Sequence, residues 1–365
     1  MMLHFILLLL ALPAEPASQD WPLFRGDALQ TGALAKASFP EKPELLWKVN
    51  VPEGVDSTAA IIGEVVYLGT VDGQILALSL KDGSTIWKYH TKAVTLKASA
   101  AVKDGIVVVG DGEGIIHALD AKSGEKKWTY TTQGEIISSA NFTEDGKVLV
   151  GSNDENLYCL DLKTGAMKWK YKIEGPINGA PGVVDGHTFV AGCDGCLHIV
   201  KISDGTLVNK VPLGGPSGAS AAIQGQRLYV GNMERSFLCI DWKKAEVIWE
   251  YEPPKTASFY SSAAIADGLA VVGGRDRKIH GIQLADGKGA WTFQTKGRVD
   301  CSPIILGKRV YCPSGDGTLY CLDLKTGEKV WQHPLGAAVT ASCAYAQGRL
   351  VVGNGDGAVF CFGTK

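Results

Sequence analysis

Short apolar runs rich in β-branched residues alternate along nearly the whole chain with clusters of Gly, Asp and Asn. Lys97 to Val102, Ile106 to Val109, Ile115 to Leu119 and Lys126 to Tyr130 are four such runs in succession, separated by Lys103-Asp104-Gly105, Gly110 to Gly114 and Asp120 to Gly124. Runs of this length with turn chemistry at both ends predict strands joined by tight hairpins. Asp72-Gly73, Asp194-Gly195, Asp316-Gly317 and Asn354-Gly355-Asp356-Gly357 supply the positive φ that such turns require.

The four-run unit repeats. Trp47, Trp87, Trp128, Trp169, Trp249, Trp291 and Trp331 mark it at steps of 40 to 42 residues, with one double step whose midpoint is Asn209. Eight copies of a four-stranded antiparallel unit predict an all-β, eight-bladed β-propeller. Each Trp falls on the outermost strand, where a flat ring can brace the widening wedge between blades. Asn209 lacks that bulk and predicts a weak junction between the fourth and fifth blades. The last unit ends after its third strand at Phe362, whereas Pro43 to Val49 reads as a lone outer strand. The N-terminal strand should therefore complete the last blade and hide two sheet edges.

This repeat defines residues 43–365 as one domain, preceded by a segment at 19–42 and an expected signal peptide at 1–18. The apolar run from Phe5 to Leu12 is followed by Pro13, Ala14, Glu15, Pro16 and Ala17. Such a run is too short to span a bilayer and predicts an exported chain, periplasmic or secreted, with no stable membrane span after cleavage. No Cys follows it, so lipid attachment at that point is not expected. The 36 basic and 38 acidic residues nearly balance without a basic stripe, which argues against a nucleic-acid partner. Of nine cysteines, Cys159, Cys239, Cys321 and Cys361 share one slot that Ala77, Ala118, Ile199 and Gly281 fill in other units. That slot is a core position, where Cys acts as a small hydrophobe.

The unit ends in a recurring phrase: Ala118-Leu-Asp120 to Gly124 and Trp128, Cys159-Leu-Asp161 to Gly165 and Trp169, Cys321-Leu-Asp323 to Gly327 and Trp331. It resembles the Ala-x-Asp-x-x-Thr-Gly-x-x-x-Trp motif of the pyrrolo-quinoline quinone (PQQ) type propeller repeat. Asp20-Trp-Pro-Leu-Phe-Arg-Gly-Asp27 likewise resembles the Trp-x-x-x-Arg-Gly lead-in of such propellers. The resemblance implies one of two branches. Quinoprotein dehydrogenases bind PQQ and calcium on the propeller axis, beneath two adjacent cysteines and beside a Glu, an Asn and an Asp. Non-catalytic periplasmic propellers, such as the subunit of the outer-membrane β-barrel assembly machine, work through protein contacts. This chain has no Cys-Cys pair and lacks the long insertions of the enzymes.

The residue ahead of each inner strand should ring the mouth of the central channel: Asp56, Lys97, Ile137, Asn178, Gly218, Tyr260, Asp300 and Thr340. The polar members Asp56, Lys97, Asn178, Tyr260, Asp300 and Thr340 are candidates for holding a small ligand. Behind them Thr58, Ser99, Ser139, Ala180, Ser220, Ser262, Ser302 and Ser342 read as small residues crowded at the axis. Cys193-Asp-Gly-Cys196 flanks a hairpin turn, where a strained local disulfide is the alternative to two free thiols. No histidine pairing or calcium loop predicts a metal. The irregular loop from Tyr251 to Tyr260, with Arg275, Arg277 and Arg235 on the same face, offers Phe259, Tyr260 and the three arginines as an interaction surface. The leading expectation is an exported, non-enzymatic scaffold for a protein partner in the cell envelope, without a cofactor. A PQQ-dependent dehydrogenase or its cofactor-binding remnant, and a carbohydrate-binding propeller, are the alternatives.

Overall fold

A computed structural model describes residues 20–92, 95–253 and 257–365. The expected signal segment and residues 254–256 of the irregular loop lie outside them. Seven antiparallel four-stranded sheets follow in chain order over residues 60–90, 101–131, 141–172, 182–212, 222–251, 264–294 and 304–334. We number these blades 1 to 7. Blade 8 combines Ala344–Ala346, Arg349–Gly353 and Ala358–Gly363 with the N-terminal strand Glu44–Asn50.

Within each blade the strands are lettered A to D from the axis outward. Burial falls in that direction: all of Ile106–Gly110 is buried, whereas on Lys126–Thr131 only Trp128 is. The closing strand is an outer D strand, pairing Trp47 with Cys361 and Val49 with Val359 in antiparallel register. The clasp read from the sequence is thus formed.

The tryptophans do more than fill a wedge. Six indole N–H groups each donate to a backbone carbonyl of the following blade: Trp47 to Leu80, Trp87 to Ala121, Trp128 to Leu162, Trp169 to Ile202 and Trp291 to Leu324 at 2.9 Å, and Trp249 to Leu284 at 3.1 Å. The ring then lies over the glycine that ends the next blade's turn. A Cβ on Gly124 would sit 2.7 Å from the Trp87 ring, and one on Gly165 2.6 Å from Trp128. Both glycines have positive φ, so turn geometry and ring contact select the same residue. Trp331 faces a blade whose C-to-D turn is replaced by the two chain ends, and it packs edge-on against Phe362 at 5.7 Å instead.

The junction at Asn209 departs from the expectation of weakness. Here the aromatic comes from the opposite side. Trp242 stands in the slot that supplies the acceptor carbonyl elsewhere, and it is 6% exposed. Its ring reaches into blade 4, 5.2 Å from Phe189 and 5.3 Å from His187, while its N–H bonds Gly225 O at 3.1 Å. With no ring above it, the turn position that is glycine in the neighbouring blades can be Ala245, at φ 56°. The wedge is filled by a reciprocal placement of the same side chain.

Residues 20–42 form a strap across one end of the channel. Trp21 exchanges backbone bonds with Ile61 at 2.8 Å, and the amides of Val102, Val183, Ile223, Ile265 and Ile305 donate to Pro22, Ala28, Leu29, Thr31 and Gly32. Asn141 Nδ2 donates to Ala28 O, and Tyr345 OH to Ser38 O. The strap therefore bonds the A strand of every blade, and Ala33–Leu34 adds a parallel pair to blade 7. A strands are inner sheet edges, and the strap satisfies backbone groups that would otherwise lie unpaired.

Deleting residues 43–49 should expose the edge of Ala358–Gly363, lower the melting temperature and drive aggregation. Size-exclusion chromatography and thermal melting check this, and a monomer with an unchanged melt would contradict it. Trp242→Ala should cost about 3 to 5 kcal/mol in denaturant unfolding. The triple change Asn209→Trp, Trp242→Leu, Ala245→Gly should recover most of that by recreating the arrangement of the other blades.

Candidate functional site

The two ends of the channel are unlike. The strap bonds the A strands near their C-terminal ends, so the mouth ring at their N-terminal ends stays open. All eight residues of that ring line one funnel, together with the eight small residues behind them. Phe24 of the strap forms its floor. The funnel encloses about 150 Å³.

Most polar groups at the mouth are already paired. Thr340 Oγ1 donates to Asp56 at 2.6 Å, and Lys97 contacts Glu135 at 3.0 Å. Asp300 accepts from Arg275 Nε and Nη2 at 2.9 and 3.2 Å and meets Arg298 at 3.2 Å. Arg275 lies flat on Tyr260, 3.4 Å from the ring centroid. Asn178 Nδ2 approaches Cys193 Sγ at 3.8 Å, and its Oδ1 is buried without a partner.

The small residues behind the mouth form a belt rather than inert filling. Backbone amides of Thr58, Ser99, Ala180, Ser220, Ser262, Ser302 and Ser342 donate to the hydroxyls of Ser99, Ser139, Ser220, Ser262, Ser302, Ser342 and Thr58 on the next blade, at 2.7 to 3.1 Å. Small size alone would not select Ser so consistently. The hydroxyl stitches seven of the eight seams at the axis, as the indole does six of them at the rim, and across the remaining axial seam Ser138 Oγ donates to Gly179 O at 2.9 Å.

On the surrounding face the structure separates the interaction candidates. Phe259 is fully buried, packed against Phe237, Tyr251 and His280, and is a core residue rather than part of a surface. Its Cβ sits 2.4 Å from where a side chain on Gly231 would begin, so the loop is anchored by it. Tyr260 and Arg275 come together as described. Arg277 and Arg235 are exposed, both at positive φ, and neither forms an ion pair among the described residues. Arg235 borders an open cavity of about 930 Å³ with Met233, Glu234, Ser258, Glu250 and Glu252.

All nine cysteines are free. Burial pushes the thiols in the shared slot up, to about 12 at Cys159 and Cys361 and about 11 at Cys239 and Cys321. Cys193 and Cys196 are half-buried, their thiols raised in the same direction by desolvation. Sequence reading missed a histidine pattern. His117, His198 and His280 occupy one slot on alternate blades, bonded to Asp111, Asp194 and Asp276 at 2.7, 2.9 and 3.2 Å. Tyr171 and Tyr251 of the preceding blades reach the Nδ1 atoms of His198 and His280 at 3.0 and 3.1 Å. These pairs resemble acid–base dyads, yet the imidazoles are at most 5% exposed. Each Asp–His pair lies within one blade, and the tyrosine bonds latch His198 and His280 to the blade before them. Comparing units slot by slot would have found them.

The funnel does not fit a quinone with calcium. Cofactor pockets run from about 300 to 1,000 Å³, the mouth carboxylates are held by Thr340, Arg275 and Arg298, and no three His, Cys, Asp or Glu side chains among the described residues group as metal ligands. No helix among them is long and apolar enough to cross a membrane.

A repeating propeller with one closed end and one funnelled face defines the class. The chain belongs to the family described as outer membrane protein assembly factor BamB, whose model matches residues 30–141, 133–208 and 194–365. It is 26% identical over 157 residues to the outer membrane protein assembly factor BamB of Shewanella oneidensis, a stretch covering 39% of this chain and 40% of that protein. It is also 26% identical over 131 residues to 1-butanol dehydrogenase (cytochrome c) of Thauera butanivorans, covering 31% of this chain and 19% of that protein. The chain thus spans well under two thirds of the length of the curated relatives it matches. The crystal structure of BamB from Moraxella catarrhalis superposes with a TM-score of 0.76 at 18% identity, covering 88% of this chain and 98% of that one.

The strap is the floor of the site, and Gly32 is its tightest point. A Cβ there would lie 1.8 Å from Arg25 Nη2, at φ 62°. Gly32→Ala should loosen the strap and render residues 20–42 susceptible to limited proteolysis while the blades stay protected; resistance equal to the parent would show that the strap is not held as described.

Proposed function

We propose that this protein is an exported, non-enzymatic scaffold of the cell envelope that holds a protein partner on its funnelled face. The observation that carries the reading is the Tyr260–Arg275–Asp300–Arg298 cluster. Aromatic and Arg side chains are the groups that dominate protein interfaces, and here the guanidinium is stacked and doubly bonded before any partner arrives. Ordering that side chain in advance removes part of the entropy cost of association. The adjacent open cavity beside Arg235 gives a partner's side chains somewhere to seat. Family membership points the same way, toward a factor for outer membrane protein assembly, and the apolar run at Phe5 to Leu12 supports export.

A second reading, an oxidoreductase using PQQ, is favoured by the likeness to 1-butanol dehydrogenase. The small funnel and its occupied carboxylates weigh against it. Adding PQQ and calcium to purified protein should give no quinone absorbance and no dye reduction with short alcohols.

The scaffold reading is tested with a photo-crosslinking residue at Arg277 on the funnelled face, and as a control at Lys163 on the opposite face, in living cells. A discrete protein adduct from Arg277 alone is expected, and the changes Tyr260→Ala with Arg275→Ala should reduce its yield at least tenfold, a loss of about 1.4 kcal/mol or more. Equal adducts from both faces, or a yield unaffected by the double change, would refute it.

A further inference from the structure

We infer that the funnel above Phe24 is a binding site for one carboxylate group, recognised by the hydroxyl crown. The inference is independent of the scaffold reading. A hydroxyl has one proton to donate and two lone pairs to accept with. In the crown each of the seven hydroxyls already accepts a backbone N–H from the preceding blade. None of the seven donates to a protein acceptor among the described residues. Seven unspent O–H donors, on side chains only 2 to 6% exposed, therefore line one small space. Buried donors call for an acceptor, and none of the protein acceptors that line the same funnel, Asn178 Oδ1 and the carboxylates of Asp56 and Asp300, bonds to them.

Charge selects an anion over a neutral acceptor. Arg25 neighbours the Phe24 ring, its Cζ 5.8 Å from the centroid, and is 1% exposed. Nη2 donates to Ala263 O and Pro303 O at 3.0 and 2.6 Å, whereas Nε and Nη1 have no partner. The nearest carboxylate, Asp27, is committed to the amide and hydroxyl of Thr31. Burial lowers the guanidinium to about 10, so it remains charged at neutral pH. Asp27 offsets part of this charge from within Coulombic range, and the remainder acts across a low-dielectric interior. The mouth does not oppose it. Asp56, Asp300 and Glu135 are balanced by Lys97, Arg275 and Arg298.

Size narrows the ligand. The funnel of about 150 Å³ is several times the ~30 Å³ share of a water molecule. It has room for a carboxylate on a short stem. Two oxygens, each able to accept more than one bond, suit a crown of donors better than a monatomic ion does. The carboxylate can arrive free, as a small organic acid, or on an acidic side chain of a partner docked on the same face. One position of the crown is missing. At Ala180 no hydroxyl meets the amide of Ser139 on the preceding blade.

Calorimetric titration of the full chain at fixed ionic strength with acetate, with the neutral isostere acetamide, and with capped tripeptides carrying Asp or Asn tests the site. Acetate or the Asp peptide should bind one to one, and acetamide and the Asn peptide should not. Binding of the peptide alone marks the partner side chain as the source, and binding of acetate marks a free acid. Ser302→Ala with Ser342→Ala should weaken binding about tenfold, as loss of hydrogen bonds to a charged group does. Ala180→Ser, which adds a hydroxyl without removing a contact, should tighten it severalfold. Equal binding of acetamide and acetate, binding of neither carboxylate, or an affinity indifferent to both sets of changes would overturn the inference.

Discussion

A ring of wedge-shaped sheets closes only if every seam is held both near the axis, where space is shortest, and at the rim, where the gap is widest. Here the rim bond is the indole N–H of one blade donating to a carbonyl of the next, with the ring laid over a glycine. The bond needs an aromatic, an exposed carbonyl and a residue without a side chain in fixed register. That requirement explains why Trp and Gly recur together at constant spacing, while the Asp between them holds the turn amides. It also explains why the exception at Asn209 is a concerted one, in which Trp242 and Ala245 change with it. At the axis the serine hydroxyls hold the same seams through a different bond.

The strap breaks the equivalence of the two ends. By bonding all eight inner strands it converts an open tube into a funnel with a floor, and it brings the buried Arg25 guanidinium close to Phe24. The open funnel thereby lies on the face where the D-to-A connections and B-to-C turns emerge. The other face is left with short C-to-D turns, whose Asp residues are occupied in holding turn amides, as Asp120 does for Lys122 and Ser123. Two neighbouring features on the funnelled face, a stacked Arg275 and an open cavity at Arg235, lie within the same sector of blades 5 to 7. The scaffold reading depends on that one-sidedness.

Repeat length, strand count and the clasp at Glu44–Asn50 were legible because they follow from periodicity, which survives substitution at any single site. The mouth ring was legible for the same reason: once one inner strand is located, the others follow by register. Phe259 was misplaced because loop composition does not reveal which aromatic turns inward, and only the close fit against Gly231 shows it. Trp242 was missed because it sits off the period, and the path of the strap because residues 20–42 carry no repeat of their own. The donor role of the hydroxyls was hidden behind an equally good argument from size. In each case the information lies in contacts between blades, whereas a sequence pattern reports the order within one.

Family likeness alone does not choose between scaffold and enzyme, since a chain equally identical to members of both over comparable stretches inherits only the frame. The choice falls on what the frame presents at its axis. A dehydrogenase needs volume for a ring system and free carboxylates for a cation. Here Phe24 lines a funnel of about 150 Å³ and Arg275, Arg298 and Thr340 contact its carboxylates. The arginine that neutralises Asp300 is the one stacked on Tyr260. The pairing that engages Asp300 at the axis is therefore also the pairing that orders the Tyr260–Arg275 stack beside it, and on the scaffold reading the two roles draw on the same side chains.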